Sequence, residues 1–252
     1  MPSSGWRRRV IQRVSAHEGK PYSINPNVDK AGLSYGIIQW TQKSKNLYGL
    51  LSFLQKKDPR AFAHFFGPNW QGLLTHAAEG ERRLSDSLSD GTASGRLWEE
   101  PWYSRFTAAG KHPPFADAQW EYAEYYDSHI KAAEKISKIL GIATERALVL
   151  FYDRAVQQGP YGAPEIAEQV AARWGGSRPP YMQALTEYAQ ANANRFRSST
   201  SKGDRWRAVD GEYHKFAGKV DLYRSISKRN QSILSDPNLS DAPLNIDDRR
   251  VA

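Results

Sequence analysis

The chain has no cysteine among its 252 residues. Disulfide scaffolds, thiolate nucleophiles and Cys-ligated zinc are therefore excluded. Its six histidines show no His-x-x-x-His or similar ligand spacing, so no metal site is expected. Long apolar runs are missing too. Nothing approaches the ~18 apolar residues of a membrane span. The N-terminal MPSSGWRRRVIQRV carries arginines without the apolar core of a secretory signal. Neither membrane insertion nor signal-directed export is expected, and no internal repeat is apparent.

What is present is a 40% hydrophobic composition, enough for a sizeable core without staples. The net charge is +8 and the pI ≈ 9.5, which favours an anionic partner and disfavours a polycationic one.

Periodicity predicts a mainly α protein with one small β element near its start. Trp6, Val10, Val14 and Glu18 recur at helical spacing, giving a helix over 6–18 that Gly19 should end. Residues 20–33 read as loop and 34–40 as a short strand. Leu47, Leu50, Leu51 and Leu54 mark an amphipathic helix ending at Lys56-Lys57. Further helices are expected at 70–85, 117–139, 144–158, 163–174 and 180–197. The connection 86–118 should hold only short helical pieces. Thr144 is the expected N-cap of a helix that is apolar on all sides over Ala147–Tyr152, and therefore buried. Residues 1–235 are expected to form one domain with a small β-containing lobe near 20–60, followed by an extended or disordered tail over 236–252.

The chemistry concentrates in EGKPYSINPNVDKAGLSYGIIQW, residues 18–40. Glu18 falls on the apolar stripe of the first helix and in its last turn. Burial and the helix dipole both favour the protonated carboxyl there, as a general acid requires. A glutamate ending a helix also commonly just reaches water. Asp29 lies among Asn25, Asn27, Lys30 and Gly32, polar surroundings that keep a carboxylate ionised for work as a base. Ser34, five residues on, is placed to hold a water by hydrogen bond. Two carboxylates across a cleft are what glycosidic hydrolysis needs.

Residues 29–51, DKAGLSYGIIQWTQKSKNLYGLL, resemble the chitosanases of glycoside hydrolase family 46, within the lysozyme superfamily. Those enzymes carry Asp-x-x-Gly-aromatic-Thr-Gly-Gly-Ile-Ile-Gly-Phe, opening on the catalytic aspartate. Asp29 matches that base and Gly32 the first glycine, while Gly36-Ile37-Ile38 match directly. Ser34 replaces the water-holding threonine, and Trp40 takes the place of the phenylalanine. The resemblance implies a lysozyme-like bilobal α+β fold with a small hairpin beside the cleft, Glu18 as general acid, and no cofactor. A second likeness lies in ALVLFYDRAVQQGP, residues 147–160, which is similar to the family's buried helix. It puts Asp153 where the family has an aspartate that helps orient the catalytic glutamate through an arginine. A carboxylate on an apolar helix needs a cation in any case. Arg195, Arg197, Arg205 and Arg207 are candidates, with Arg207 preferred. The Glu…Asp…Ser spacing, 11 and then 5 residues, also resembles phage-type lysozymes.

Tyr35, Gln39 and Asn46 are the expected substrate-binding or supporting residues of the hairpin. Family chitosanases meet glucosammonium with carboxylates, one of them at the start of the helix after the hairpin. Ungapped alignment puts Asn46 there, flanked by Lys43 and Lys45. A neutral amide beside lysines suits peptidoglycan, with its lactyl and peptide carboxylates, better than chitosan. The expected activity is muramidase cleavage of β-1,4 linkages by a single inverting displacement. Without a visible signal, delivery by a specialised secretion system or release at phage lysis would bring the protein to the wall. An antibacterial role then implies an immunity protein as partner.

Two rivals stand outside this class. GLSYG, residues 32–36, matches the Gly-x-Ser-x-Gly elbow, which would make Ser34, Asp153 and His214 a serine-hydrolase triad. That motif needs a strand–turn–helix context, which the predicted elements lack. The charge, with Trp6 and Arg7–Arg9, would also suit nucleic acid, although arginines on helix faces are usually just solvated.

Overall fold

The computed structural model describes residues 5–27, 30–197, 200–209 and 212–246, with the backbone path alone over 200–209 and 212–220. The chain divides into two compact units. A hairpin unit comprises Ser15–Tyr126 and Gly203–Ala217, and a helical unit comprises Met1–Val14, Asp127–Lys202 and Gly218–Ala252. The fold is mainly helical, with a three-stranded antiparallel sheet and smaller two-stranded pairs.

The hairpin unit opens on the last turn of α1 (Trp6–Glu18), the helix that the apolar spacing predicts. Strands β1 (Ile24–Pro26), β2 (Leu33–Tyr35) and β3 (Trp40–Thr41) come next, in the order β1-β2-β3. Two expectations change here. The segment read as loop contains β1, and the segment read as one strand is β2, a turn over 36–39, and β3. Strands this short carry too few alternations to register as a period.

Helix α2 (Asn46–Lys57) buries Leu47, Leu50, Leu51 and Leu54 completely. Truncating one of these to alanine typically costs ~2–5 kcal/mol. A helix not anticipated, α3 (Pro59–Phe66), starts on the cap of Asp58, whose carboxylate accepts from the Ala61 N–H at 2.9 Å. Then come α4 (Trp70–Glu79) with a 3-10 turn over Gly80–Arg83, the paired β4 (Leu88–Ser89) and β5 (Ser94–Gly95), α5 (Trp102–Lys111) and α6 (Pro113–Tyr125). Aromatic rings tie the sheet to these helices. Tyr35 meets Phe106 edge-on at 5.0 Å, Phe106 meets Phe66 at 5.1 Å, and Phe66 meets Phe62 at 4.6 Å.

In the helical unit, α7 (Ser128–Leu140) pairs most extensively with α8 (Glu145–Arg173). The single helix expected over 117–139 is therefore two helices, α6 and α7. Asp127 breaks it by taking extended angles and capping α7 through the His129 N–H at 3.1 Å. No glycine or proline stands between the two helices to mark the break.

Thr144 caps α8 as expected, accepting from the Ala147 N–H at 3.2 Å. All residues from Arg146 to Ala155 are buried, as an all-apolar run over Ala147–Tyr152 demands. Gly159 (φ 83) and Pro160 kink the helix between the two helices expected at 144–158 and 163–174. Helix α9 (Tyr181–Asn194), strands β6 (Thr200–Val209) and β7 (Glu212–Asp221), and α10 (Leu222–Ser235) complete the order. The strand pair and α10 were not anticipated.

The tail is extended but docked as far as it is described. Arg146, almost fully buried, donates to the Asp241 carboxylate and to the carbonyls of Ile233, Leu234, Asp236 and Leu239. Tyr181 adds a hydroxyl bond to Asp241 at 2.8 Å.

Candidate functional site

Glu18 ends α1 half-buried, one turn beyond the buried Val14 and Ser15. The residues between α1 and β1 hold that helix end against the hairpin. The Ser23 carbonyl accepts from the Gly36 N–H at 2.9 Å, and the Gln39 side chain donates to the Gly36 carbonyl at 2.9 Å. Gly19 is needed for space: a Cβ there would lie 2.9 Å from the Gln39 amide nitrogen and 3.0 Å from the Gly36 carbonyl. The helix ends at Glu18 just before Gly19, as expected, but the Gly19 φ is not in the left-handed region, so close approach, not a left-handed cap, is what requires glycine there.

Gln119 of α6 fastens both segments. It accepts from the Ile37 N–H at 3.2 Å and donates to the Pro21 carbonyl at 2.8 Å, fully buried. Gly36, at φ 84, leaves room for it, since a Cβ would lie 2.4 Å from the Gln119 oxygen. Sequence reasoning misses Gln119. Its partners lie 82 and 98 residues away, and nothing local marks it.

Register sorts the sheet's side chains into two faces. Ser34 pairs with Asn25 on β1 and with Thr41 on β3, so these three polar residues form one row across the strands. Asn25 is exposed, and Ser34 and Thr41 are half-buried. The Ser34 hydroxyl makes no hydrogen bond to another described residue, which leaves it able to hold a water. On the opposite face Tyr35 and Trp40 are fully buried. Tyr35 therefore supports the sheet from beneath and offers no face to a sugar. Burial raises its phenol pKa far above the usual value, and Gln119 offsets only part of that.

Asn46 also serves the hairpin. Its side-chain oxygen accepts from the Thr41 N–H at 2.6 Å, fixing the strand that flanks Ser34. Gln39, at φ 55, is committed to the 36–39 turn. Asp29 lies outside the described residues. Its neighbours Asn27 and Lys30 belong to the connection between β1 and β2, where the Asn27 side chain accepts from the Gly32 N–H at 3.0 Å. Exposed Tyr22, just past Glu18, carries the ammonium groups of Lys20 and Lys111, each 5.9 Å from its ring centre. This aromatic–cation cluster was not anticipated either, although Lys20 and Tyr22 are close enough in sequence to suggest it.

Asp153 belongs to the helical unit and is fully buried. The demand for a cation is met by arginines that were not among the candidates. One carboxylate oxygen pairs with Arg154, also fully buried, and the other with Arg229 of α10, whose Nε stands at 2.6 Å. Arg207 lies on β6, where only the backbone path is described. The preference for Arg207 therefore falls on a side chain outside the described ones, while Arg229, which was not among the candidates, is one of the two cations that meet Asp153.

The serine-hydrolase reading fails on geometry. Ser34 sits in the middle strand of an antiparallel sheet, not on a strand-to-helix turn, and Asp153 is committed to two arginines. Among the described residues, no cluster of histidines and carboxylates able to hold a metal is found, and no helix is long and apolar enough to cross a membrane.

Comparison with known proteins yields no family: no family model matches the chain, and no curated protein matches it significantly.

Proposed function

We infer that this protein is a lysozyme-superfamily glycoside hydrolase that cuts β-1,4 bonds of peptidoglycan. The observation that carries the reading is the seat of Glu18. Glu18, half-buried, ends a helix whose following backbone is packed and hydrogen-bonded through Gly19, Gln39 and Gln119 against a hairpin bearing the polar row of Ser34. Glu18 protonates the glycosidic oxygen, and Asp29, with Ser34, activates a water on the opposite face of the sugar. In a single inverting displacement the two carboxyl groups stand about 6.5–9.5 Å apart. A lysozyme-like bilobal fold is part of the same proposal.

Charge supports peptidoglycan over chitosan. Lys20 and Lys111 on Tyr22 add positive potential beside the helix end that bears Glu18, and the net charge is +8. Asn46 contributes an amide where a chitosan site needs a carboxylate. The protein would act on the wall after delivery by a specialised secretion system or at phage lysis, and an immunity protein would protect its producer.

Replacing Glu18→Gln removes the general acid at nearly constant volume. Release of reducing ends from purified sacculi should fall by about 10²–10⁴-fold with an unchanged circular dichroism spectrum. Undiminished release would sink the assignment. Mass spectrometry of products from sacculi and chitosan, side by side, tests the substrate.

A further inference from the structure

A groove between α2 and α6 in the hairpin unit shares no residue with the Glu18 seat or the sheet. Gly49, Ser52, Phe53, Lys56 and Lys57 line it from α2, and Tyr122 and Tyr126 from the α6 side. Its volume is ≈ 450 Å³, within the range of small-ligand sites. Gly49 makes the aromatic wall possible, because a Cβ there would lie 2.2 Å from the Tyr122 hydroxyl oxygen. Tyr122 and Tyr126 stack with ring centres 6.3 Å apart and planes 16° apart, and Phe53 lies 4.9 Å from Tyr126. Tyr126 is nevertheless 54% exposed, so part of this wall faces water.

The charged side of the groove is cationic. Lys57 lies 5.4 Å from the Phe53 ring centre and pairs with Glu121 at 2.7 Å. Lys56 is exposed and has no acidic partner among the described residues. The Ser52 hydroxyl is buried in the lining and makes no hydrogen bond to another described residue. A purely apolar ligand would leave Lys56 and Ser52 unused, and a bare anion would leave the rings unused. A pyranose bearing a carboxylate uses both, with its C–H face on the tyrosines and its acid at Lys56.

We propose that this groove is a second carbohydrate site, one that holds a carboxylate-bearing sugar of the wall polymer and keeps the protein on its insoluble substrate. The choice of sugar rests on the peptidoglycan reading above.

Calorimetric titration of the Glu18→Gln protein with a soluble N-acetylglucosamine–N-acetylmuramic acid tetrasaccharide should show two sites. Lys56→Glu or Tyr126→Ala should remove one of them and lower retention on purified sacculi at least ~5-fold. Lys56 is solvent-exposed, so its exchange keeps the fold even if loss of the Tyr126 ring does not. The neutral N-acetylglucosamine tetramer should leave the groove empty. Unchanged stoichiometry and retention in Lys56→Glu would overturn the proposal, as would equal filling by the neutral tetramer. If the catalytic reading alone is wrong, Glu18→Gln retains lysis, yet Lys56→Glu still abolishes a binding site.

Discussion

On the hairpin, Asn25, Ser34 and Thr41 stand exposed or half-buried, and the Ser34 hydroxyl makes no hydrogen bond to another described residue. On α8, by contrast, Asp153 and Arg154 are sealed from solvent and bound to each other, with Arg229 closing the second carboxylate oxygen. The first arrangement costs little stability and leaves polar groups for a ligand or a water. The second makes each charge depend on the others, because a buried charge without a partner is far costlier than a buried pair. Polar residues left open suit chemistry, whereas charges sealed and paired hold elements together, even though the Arg154 Nε and Nη1 find no hydrogen-bond partner among the described residues. Here Arg229 ties α10 to α8.

The sealed cluster carries the largest expected effect. Asp153→Ala strands two arginines, one wholly buried, and should lower unfolding free energy by about 3–5 kcal/mol. Chemical denaturation measures this directly, and a loss within experimental error would show that the triad is better hydrated than its burial implies.

On the open hairpin, Ser34→Ala should reverse the pattern. Stability should change by less than ~0.5 kcal/mol, while turnover on sacculi falls up to ~10²-fold because the water is misplaced. A large stability loss with unchanged turnover would instead make Ser34 structural.

Asp90 sharpens the contrast, being a sealed carboxylate within the hairpin unit. The Ala93 N–H holds its carboxyl well below the usual carboxylate range, aided by Thr92 and Arg105 and partly opposed by burial. A depressed folded pKa contributes stability above the unfolded value of ~3.9 and loses it as pH falls toward the folded value. The urea midpoint should therefore drop steeply below about pH 4. Asp90→Asn should cost ~1–2 kcal/mol at neutral pH and flatten that acid limb. Parallel limbs in the two proteins would place the acid lability elsewhere.

Much of the helical frame was legible in the sequence. Helices α1 and α2, the burial of the first half of α8 and its Thr144 cap follow from apolar spacing and a single capping residue. The neighbourhood of Glu18 and Ser34 was legible as well, because Gly, Asn and Pro mark the turns between short apolar pieces. Strand β1 was not legible, since three residues containing an asparagine and a proline carry no strand signal. Helix α10 was missed although Asp221 caps it and Leu222, Ile226 and Ile233 recur at helical spacing, whereas the docked tail was not legible, because it is held by Arg146, far away along the chain.

The sequence by itself thus determined much of the helical frame, α1, α2 and the capped, buried start of α8 among it, and that Asp153 needs a cation. Those are local properties, set by period, caps and the cost of burying charge. Only the tertiary structure decided which cation meets Asp153, why residue 19 is glycine, that Gln119 fastens the hairpin, and that Tyr122 and Lys56 share a groove. The physical reason is range. The Arg229 bond to Asp153 spans 76 residues and the Gln119 bond to Pro21 spans 98, separations at which no pattern in the sequence records who meets whom.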